Sequence, residues 1–274
     1  MFSSRKVLRV ISACVSGAAI CAAVLIGCST KPMQTKSTTL RVMTYNIHHA
    51  EGLDGQVDLL RIAQLIQRER ADMVALQEVD KGVVRTARRD FPAELAALTG
   101  MNCVFSNNFS FQGGEYGNAV LTRFPVLRVT NTPYQMLRAG EPRGLMQLFL
   151  DIHGRELVFM NTHIDYRPDD AERMLNVGEI ETRLKLYAGR PIILCGDFNT
   201  TPESRVCRRL GENLEDTWAR VGQGDGFTIP ASQPTKRIDY IWITKDKSLE
   251  PIKVWVPPSD ASDHLPVVAE FRFR

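Results

Sequence analysis

Short apolar runs that end in polar residues recur along the chain and predict β-strands. The runs are rich in Val, Ile, Leu and Met, and each breaks into polar residues at its C-terminal edge. Strands that are buried on both faces show this near-continuous hydrophobicity. The four clearest runs are LRVMTYN (40–46), ADMVALQE (71–78), RELVFMNTH (155–163) and RPIILCGDFN (190–199).

Between these runs lie segments whose apolar residues recur at helical spacing. The pattern predicts helices over DLLRIAQLIQRER (58–70), DFPAELAALTG (90–100) and ERMLNVGEIETRLKLYAG (172–189). In the second segment Asp90 is a suitable N-cap, Pro92 falls in the first turn and Gly100 is a suitable stop.

Three further runs have no helix between them: GNAVLTRF (117–124), FPVLRVT (124–130) and GLMQLFLDI (144–152). They predict antiparallel hairpins and therefore mixed sheets. The fold class indicated is an α/β sandwich of two mixed β-sheets packed face to face and flanked by helices. No internal repeat or low-complexity tract interrupts residues 40–274, which predicts a single domain there.

The first 39 residues have a different character. Three basic residues precede an apolar stretch that stops at Cys28, which predicts an export signal over residues 1–27. Leu25-Ile26-Gly27-Cys28 resembles a bacterial lipobox, so Cys28 is expected to be lipidated and to hold the protein at a membrane. An ordinary signal peptide and a single spanning helix are the alternatives. Residues 28–39 are small and polar, as in a tether. The predicted location is the cell envelope, and Ser29 after the cysteine is compatible with the outer membrane.

Charge narrows the class of substrate. The formal net charge is +3, and all three basic residues of the predicted signal are removed with it, which leaves a formal charge of zero. A protein that grips nucleic acid through many phosphates usually carries a basic excess. A nucleic-acid partner is therefore possible but not favoured.

Polar side chains capable of chemistry follow the predicted strands. Each alone has an ordinary explanation in turn chemistry or solvation. Because strand ends in one layer converge, and burying many such groups is costly, the set together predicts a site. Its members are Asn46, Glu78, Asn161, His163, Asp197, Asn199, Asp239, Asp263 and His264.

The donor types indicate the cofactor. Carboxylate and amide oxygens without cysteine suit Mg²⁺, or Mn²⁺, which keeps waters for a substrate phosphate. Histidines beside carboxylates suit acid and base catalysis near neutral pH. A metal, a base for water and donors for the developing charge together describe a phosphoester hydrolase.

The ordered motifs resemble the endonuclease/exonuclease/phosphatase superfamily over nearly all of the predicted domain. The motifs are TYN (Asn46), LQE (Glu78), YGN (Asn118), NTH (His163), GDFN (Asp197, Asn199), RIDY (Asp239) and SDH (Asp263, His264). The GDFN and SDH motifs are fairly specific. The resemblance implies a four-layered α/β sandwich, in agreement with the hydrophobic pattern.

The resemblance also implies roles at the metal and at the water. Glu78 is expected to be the principal metal ligand, with Asn46 and Asp263 close to the same ion. His264 is expected to take the proton of the attacking water, with Asp239 orienting its imidazole.

The remaining matched residues are expected to contact the substrate. The resemblance implies that Asp197 and Asn199 position the nucleophile or a second ion. It implies that His163 binds the phosphate or assists the leaving group, and that Asn118 lines the site.

Cations and histidines outside the motifs add two open points. Arg85 and Arg143 are candidate phosphate ligands, with a solvated basic loop as the alternative. Where apurinic endonucleases carry Asp and Tyr, this chain has His48 and His163, which disfavours abasic-site repair. A place beside the metal and a surface role are both open for His48 and His49.

Three functions from different classes are compatible with these observations. The leading one is an exported, lipid-anchored, Mg²⁺- or Mn²⁺-dependent hydrolase of a small or lipid-derived phosphoester. A secreted nuclease is the alternative. A binding lipoprotein that keeps the fold without the chemistry is disfavoured, since none of the histidines or acids is missing.

Overall fold

The computed structural model describes residues 38–274. The predicted signal, the predicted lipidation site Cys28 and nearly all of the predicted tether lie outside the described residues. The first strand starts at Thr38, so the last two residues of the predicted tether are paired in a sheet. Within 38–274, no helix is both long enough and apolar enough to cross a membrane.

The strands and helices of residues 38–274 are numbered in chain order. The strands are β1 (Thr38–Asn46), β2 (Met73–Lys81), β3 (Asn102–Phe111), β4 (Gly114–Thr122), β5 (Val126–Pro133), β6 (Gly144–Asp151), β7 (Glu156–His163), β8 (Ile192–Asp197), β9 (Leu214–Asp216), β10 (Asp239–Thr244), β11 (Leu249–Trp255) and β12 (Val267–Phe273). The helices are α1 (Leu59–Glu69), α2 (Phe91–Thr99), α3 (Ala171–Leu186), α4 (Arg205–Asn213) and α5 (Thr217–Val221). Short 3-10 turns cover His48–Ala50 and Val84–Thr86.

The strands form two six-stranded sheets. The first sheet has the order β11-β12-β1-β2-β4-β3, and the second has the order β5-β6-β7-β8-β10-β9. Each contains one parallel pair, β1 with β2 and β7 with β8, whereas the other pairs are antiparallel. Both sheets are therefore mixed, as the hydrophobic pattern predicts.

Alternation of side chains along the central strands explains the layers. In β1, Leu40 and Val42 enter a core shared with residues of the second sheet, whereas Met43 and Tyr45 pack on the opposite face with α1 and α2. In β7, Phe159 joins the shared core, while its neighbours pack beneath α3 and α4. The order helix, sheet, sheet, helix confirms the predicted four-layered sandwich.

The predicted helices form where the caps place them. The side chain of Asp58 accepts a hydrogen bond from the Leu60 amide at 2.8 Å, and that of Asp90 accepts from the Ala93 amide at 3.0 Å. Gly100 ends α2 with φ +67°, a left-handed conformation that glycine adopts without strain. The three predicted helices are confirmed as α1, α2 and α3.

The hairpin prediction is only partly right. β5 and β6 pair antiparallel, but β4 pairs with β2 and β3 in the other sheet. The segment Arg123–Pro125 thus carries the chain between sheets instead of closing a hairpin. Both arrangements bury the same apolar runs, so hydrophobic periodicity alone does not distinguish them.

A pair of buried amides joins the two sheets near the polar ends of their central strands. Gln77 donates to the Asn161 carbonyl oxygen at 2.7 Å, and Asn161 donates to the backbone carbonyls of Leu76 and Ala119 at 2.9 and 2.8 Å. Asn161 is therefore a cross-link between the sheets, not simply one of the polar strand ends.

Candidate active site

The polar ends of the central strands meet at one end of the sandwich. His163 ends β7, Asp197 ends β8 and Asp239 begins β10, and these three residues are in register across the second sheet. Asn46 ends β1 in the first sheet, and His264 precedes β12. The topology thus brings residues far apart in the chain to one place.

Glu78 enters this end of the sandwich through a bulge in β2. Leu76 pairs with Ala119 and Val79 pairs with Gly117, so Gln77 and Glu78 together lie opposite Asn118. Glu78 has φ +59°, which is unusual for a residue with a side chain and costs about 1–3 kcal/mol. The carboxylate is half-buried.

Asp197 is the hub of the polar contacts. Its Oδ2 accepts a hydrogen bond from Asn46 Nδ2 at 3.0 Å and lies 3.4 Å from His163 Nε2 and 3.8 Å from His264 Nε2. Its Oδ1 accepts from the Asn199 amide at 2.8 Å. Asn46 Nδ2 also donates to Glu78 Oε1 at 3.0 Å, so one amide links the carboxylates of the two sheets.

Burial and charge shift the pKa of Asp197. The side chain is almost fully buried, which raises its pKa, and the neighbouring Asp239 carboxylate raises it further. The positive charge on His264 and the bonds from Asn199 and Asn46 oppose this rise. The net pKa lies well above the ordinary value for aspartate.

His264 and Asp239 form a buried pair. His264 Nδ1 lies 3.0 Å from Asp239 Oδ2, and its Nε2 faces Asp197. Burial lowers the pKa of His264, but the charge and hydrogen bond of Asp239, together with Asp197 and Asp263, outweigh it and raise the pKa to about 10. The metal-free site therefore holds an imidazolium between carboxylates.

His163, unlike His264, is neutral. Arg143 Nη1 lies 2.8 Å from His163 Nδ1, and because arginine can only donate, Nδ1 accepts and the ring proton sits on Nε2, towards Asp197. Burial and then the charges of Arg143 and His264 lower the pKa of His163 well below its ordinary value. His163 is thus a neutral donor through Nε2. The side-chain nitrogen of Asn199 lies 3.0 Å from Nε2, but two donors do not bond each other, and this nitrogen donates to the Ile164 carbonyl at 3.1 Å.

A cavity of about 230 Å³ opens beside these groups. Its polar wall includes Glu78, His163, Asp197, Asn199 and His264. The rest of the lining forms an aromatic and cationic wall, and the side chains that form it include Phe109, Phe111, Tyr116, Tyr166, Arg85 and Arg143.

Arg85 is held in a fixed orientation within that wall. Its Nε and Nη2 each donate to the buried Asp80 carboxylate at 2.8 Å, and its guanidinium lies 4.9 Å from the Phe111 ring centre and 5.5 Å from that of Tyr116. These contacts use two of the three guanidinium nitrogens. Nη1 is left as the donor that a substrate anion can use.

The aromatic wall is not among the predicted site residues. Phe109 and Phe111 alternate along β3, and Tyr116 follows on β4 after the turn. The period-two spacing in NFSF was the available signal, since it places both phenyl rings on one face of a strand. Glu141, which accepts from Arg143 Nη2 at 2.7 Å, gave no recognisable signal.

Four of the predicted residues are not among those that line the cavity: Asp239, which is paired with His264, and Asn46, Asp263 and Asn118. Asn46 is buried behind Glu78 and Asp197 and turns its amide nitrogen to them, while its oxygen accepts from the His48 amide at 3.1 Å. The Asp263 carboxylate is 45% exposed and lies 3.9 Å from His48 Nδ1. Asn118 is buried opposite the bulge, and its amide nitrogen has no hydrogen-bond partner within residues 38–274.

The donor set fits a divalent cation. The Asp197 and Asp239 carboxylates both lie beside His264, and the Asn46 amide links the Glu78 carboxylate to Asp197. The buried Oδ1 of Asp239 has no partner among the described residues. Asp197, Asp239 and His264 also offer ligand atoms within 4.8 Å of one another. An oxygen-rich set of this kind suits Mg²⁺ or Mn²⁺. The Asn46 oxygen could bind the same cation only if the side-chain amide rotated, which would break its hydrogen bond from the His48 backbone amide.

Comparison with known proteins decides the family. Residues 43–264 match the sequence model of the "Endonuclease/Exonuclease/phosphatase family". The chain belongs to this family. Members of the endonuclease/exonuclease/phosphatase family are generally metal-dependent phosphoester hydrolases.

Individual relatives cover most of the domain. The uncharacterized protein YbhP of Escherichia coli strain K12 is 25% identical over 258 residues, which is 87% of this chain and 98% of YbhP. A crystal structure of an endonuclease/exonuclease/phosphatase from Beutenbergia cavernae has TM-score 0.71 and 28% identity, covering 86% of this chain and 72% of that one. The mannosyl-6-phosphatase Bt3783 of Bacteroides thetaiotaomicron shares the fold at TM-score 0.71 and 19% identity, covering 85% and 100%.

Proposed function

We propose that this chain hydrolyses a small phosphoester with the help of bound Mg²⁺ or Mn²⁺. The observation that carries the proposal is the meeting of Glu78, Asp197 and the His264–Asp239 pair at one cavity. A divalent cation held by Glu78, with Asp197 nearby, would polarise the phosphoryl oxygens and neutralise developing charge.

His264 is the proposed base for the attacking water. The hydrogen bond between Asp239 and Nδ1 fixes the orientation of the imidazole. Nε2 is left facing Asp197 at the cavity. The raised pKa of His264 depends on uncompensated carboxylates around it. A divalent cation bound beside these carboxylates would offset their charge and lower the pKa of His264. Nε2 could then accept a water proton near neutral pH.

The other polar groups position the reacting atoms. Asp197 accepts a hydrogen bond from the water and aligns it with phosphorus, and Asn199 is held beside it by the bond from its amide to Asp197 Oδ1. His163 donates from Nε2 towards the phosphoryl group, where negative charge builds up as water attacks. Water forms the new P–O bond as His264 takes its proton, the ester P–O bond breaks, and the leaving oxygen takes a proton from solvent and departs as the alcohol.

The shape and charge of the cavity support a small substrate. A volume of about 230 Å³ holds a phosphoryl group and a compact alcohol, and Arg85 Nη1 is free to bind an anionic oxygen. The aromatic wall provides apolar surface for the leaving group. We propose that the substrate is a phosphate ester of a small hydroxylated or lipid-derived alcohol. The mannosyl-6-phosphatase Bt3783, which shares the fold, is named for a substrate of this class.

We also propose that the enzyme acts in the cell envelope, anchored by lipidated Cys28. This part rests on the basic and apolar pattern of residues 1–27. Labelling with a radioactive fatty acid, with Cys28→Ser as the control, tests it separately from the chemistry.

A substrate screen tests the proposed reaction. Purified protein would be incubated with Mg²⁺ or Mn²⁺ and with sugar phosphates, inositol phosphates, bis-p-nitrophenyl phosphate, phospholipids and supercoiled plasmid. We expect release of phosphate or alcohol from a small ester, loss of activity with chelator and in His264→Ala, and normal activity in His153→Ala. Nicking of plasmid alone would favour the nuclease, and no turnover of any substrate would contradict the proposal.

A further inference from the structure

A turn directly after β1 carries a second group of metal-type ligands. His48, His49 and Glu51 each offer a ligand atom, and these atoms lie within 4.8 Å of one another. The predicted cation site at Glu78 and Asp197 uses none of these three side chains. Their arrangement therefore needs its own explanation.

The backbone of the turn is what brings the two imidazoles together. His48, His49 and Ala50 have φ angles of +44°, +43° and +64°, so three consecutive residues adopt the left-handed region. The two rings end up 4.4 Å apart between centroids, at an interplanar angle of 62°. An extended backbone would send successive side chains to opposite faces.

The distances resemble those around one ion. His49 Nε2 lies 3.4 Å from Glu51 Oε2. Two atoms that each bind a tetrahedral Zn²⁺ at roughly 2.0–2.1 Å are separated by about 3.4 Å. His48 is 33% exposed and has room to turn its ring towards the same point.

The buried ring of His49 has few polar contacts. The residue is only 8% exposed, and its Nδ1 is buried without a hydrogen-bond partner within residues 38–274. The contact of Nε2 with Glu51 at 3.4 Å is long for a hydrogen bond and compensates little of the cost of burying an imidazole. An ion at Nε2 would replace this weak contact with a strong one, while Nδ1, on the other side of the ring, would stay without a partner among the described residues.

We propose that His48, His49 and Glu51 form a second site for a divalent cation that prefers imidazole, such as Zn²⁺ or Co²⁺. Two imidazoles and one carboxylate suit such ions better than Mg²⁺, which prefers oxygen. Asp263 lies 3.9 Å from His48 Nδ1 and is available as a further ligand. Solvent completes the coordination, since Glu51 is 40% exposed.

A hydrogen bond to Asn46 connects the site to the catalytic end. The His48 amide donates to the Asn46 side-chain oxygen, and the Asn46 nitrogen contacts both Glu78 and Asp197. An ion that holds the turn in place thus also holds the Asn46 amide in its observed orientation.

Cobalt binding in the presence of excess Mg²⁺ tests the site without any need for turnover. The full-length, metal-free protein would be loaded with Co²⁺ in excess Mg²⁺, desalted, and analysed for bound cobalt and for its visible absorption spectrum. Magnesium saturates the oxygen-rich site, so we expect one retained Co²⁺ in the wild type. The same is expected in His153→Ala and Glu78→Gln.

Variants of the turn give the decisive result. His49→Ala and, as a milder change, Glu51→Gln should lose the retained Co²⁺ and its absorption bands while keeping the unfolding temperature of the metal-free wild type. Retention of Co²⁺ in both variants would overturn the proposal. So would loss of Co²⁺ in His264→Ala alone, because the ion would then occupy the Asp197–Asp239–His264 group. Neither result depends on whether the protein hydrolyses phosphoesters.

Discussion

Glu78 and Asp197 occupy corresponding places in the two sheets, yet their environments differ. Glu78 is half-buried on a bulge, has a left-handed backbone and accepts one hydrogen bond, from Asn46. Asp197 is buried at the end of a regular strand, accepts from Asn46 and Asn199, and faces two histidines. Glu78 has free lone pairs for a cation, whereas the position of Asp197 is fixed by its neighbours.

This contrast separates two kinds of contribution to catalysis. Removing a residue that aligns water should lower kcat irrespective of metal concentration, because the alignment exists only in the protein. Removing a metal ligand should shift the metal concentration that is required. The variants below test whether the two carboxylates divide the work in this way.

The largest effect is expected for Asp197→Asn. The substitution keeps the size of the side chain but removes the charge that aligns water and faces both histidines. We expect kcat to fall about 10²–10³-fold at saturating Mg²⁺, the range seen when one precisely placed group of an active site is removed. Raising the metal concentration should not restore it. Recovery at high Mg²⁺ would mean that Asp197 is chiefly a metal ligand.

Stability should respond most to the amide link between the sheets. Asn161→Ala removes the side chain that donates to the Leu76 and Ala119 carbonyls. It also removes one of the two acceptors of Gln77 Nε2, which keeps its bond to Thr44 Oγ1 at 3.2 Å. Each buried polar group left unpaired costs about 1–3 kcal/mol. Urea denaturation should show a loss of at least that size, and Asn102→Ala, an exposed asparagine on β3, should show little change.

Glu78→Gln should change the metal requirement more than the maximal rate. The amide keeps one oxygen but loses the charge, so the Mg²⁺ concentration for half-maximal activity should rise roughly 10–100-fold. Much of kcat should return at saturating Mn²⁺. A loss of kcat that no metal concentration reverses would remove the proposed difference from Asp197.

Arg85→Ala should weaken substrate binding with a smaller effect on the reaction itself. A hydrogen bond to a charged group contributes about 1.5 kcal/mol or more, which corresponds to roughly a tenfold rise in KM. Arg88→Ala, at an exposed arginine of the same loop, is the matched control. Equal effects of the two changes would mean that general positive charge, not the oriented Arg85, is responsible.

The last prediction concerns pH and the metal-free protein. Because Asp239 and its neighbours raise the pKa of His264 to about 10 against the lowering effect of burial, the folded state holds a proton that the unfolded state, with a pKa near 6.5, releases. The pair therefore contributes fully below pH 6.5 and loses its contribution as the pH rises towards 10. In chelator, the free energy of unfolding should fall more steeply between pH 6.5 and 9 for the wild type than for His264→Gln. Parallel curves would contradict the raised pKa.

The sequence predicts the strand ends well because the chemistry is local there. Asp197 and Asn199 follow an apolar run directly, and His264 precedes one, so hydrophobic pattern and polar residue lie within a few positions. The α/β sandwich and its layers follow from the same alternation.

Other features depend on contacts between distant segments, which the pattern does not contain. The orientation of the Asn46 amide is set by His48, and the fixed Arg85 depends on the buried Asp80. The placement of β5 in the second sheet is a choice between two ways of burying the same apolar run. Such features require the three-dimensional structure.

Anomalous diffraction from crystals soaked in Mn²⁺ shows directly whether Glu78 or His264 holds the ion. We expect a peak at the Glu78 carboxylate, on the side that faces Asp197, with His264 Nε2 across the same cavity. A manganese ion held only by Asp197, Asp239 and His264, with no density at Glu78, would contradict it, because His264 would then be a ligand and could not serve as the base.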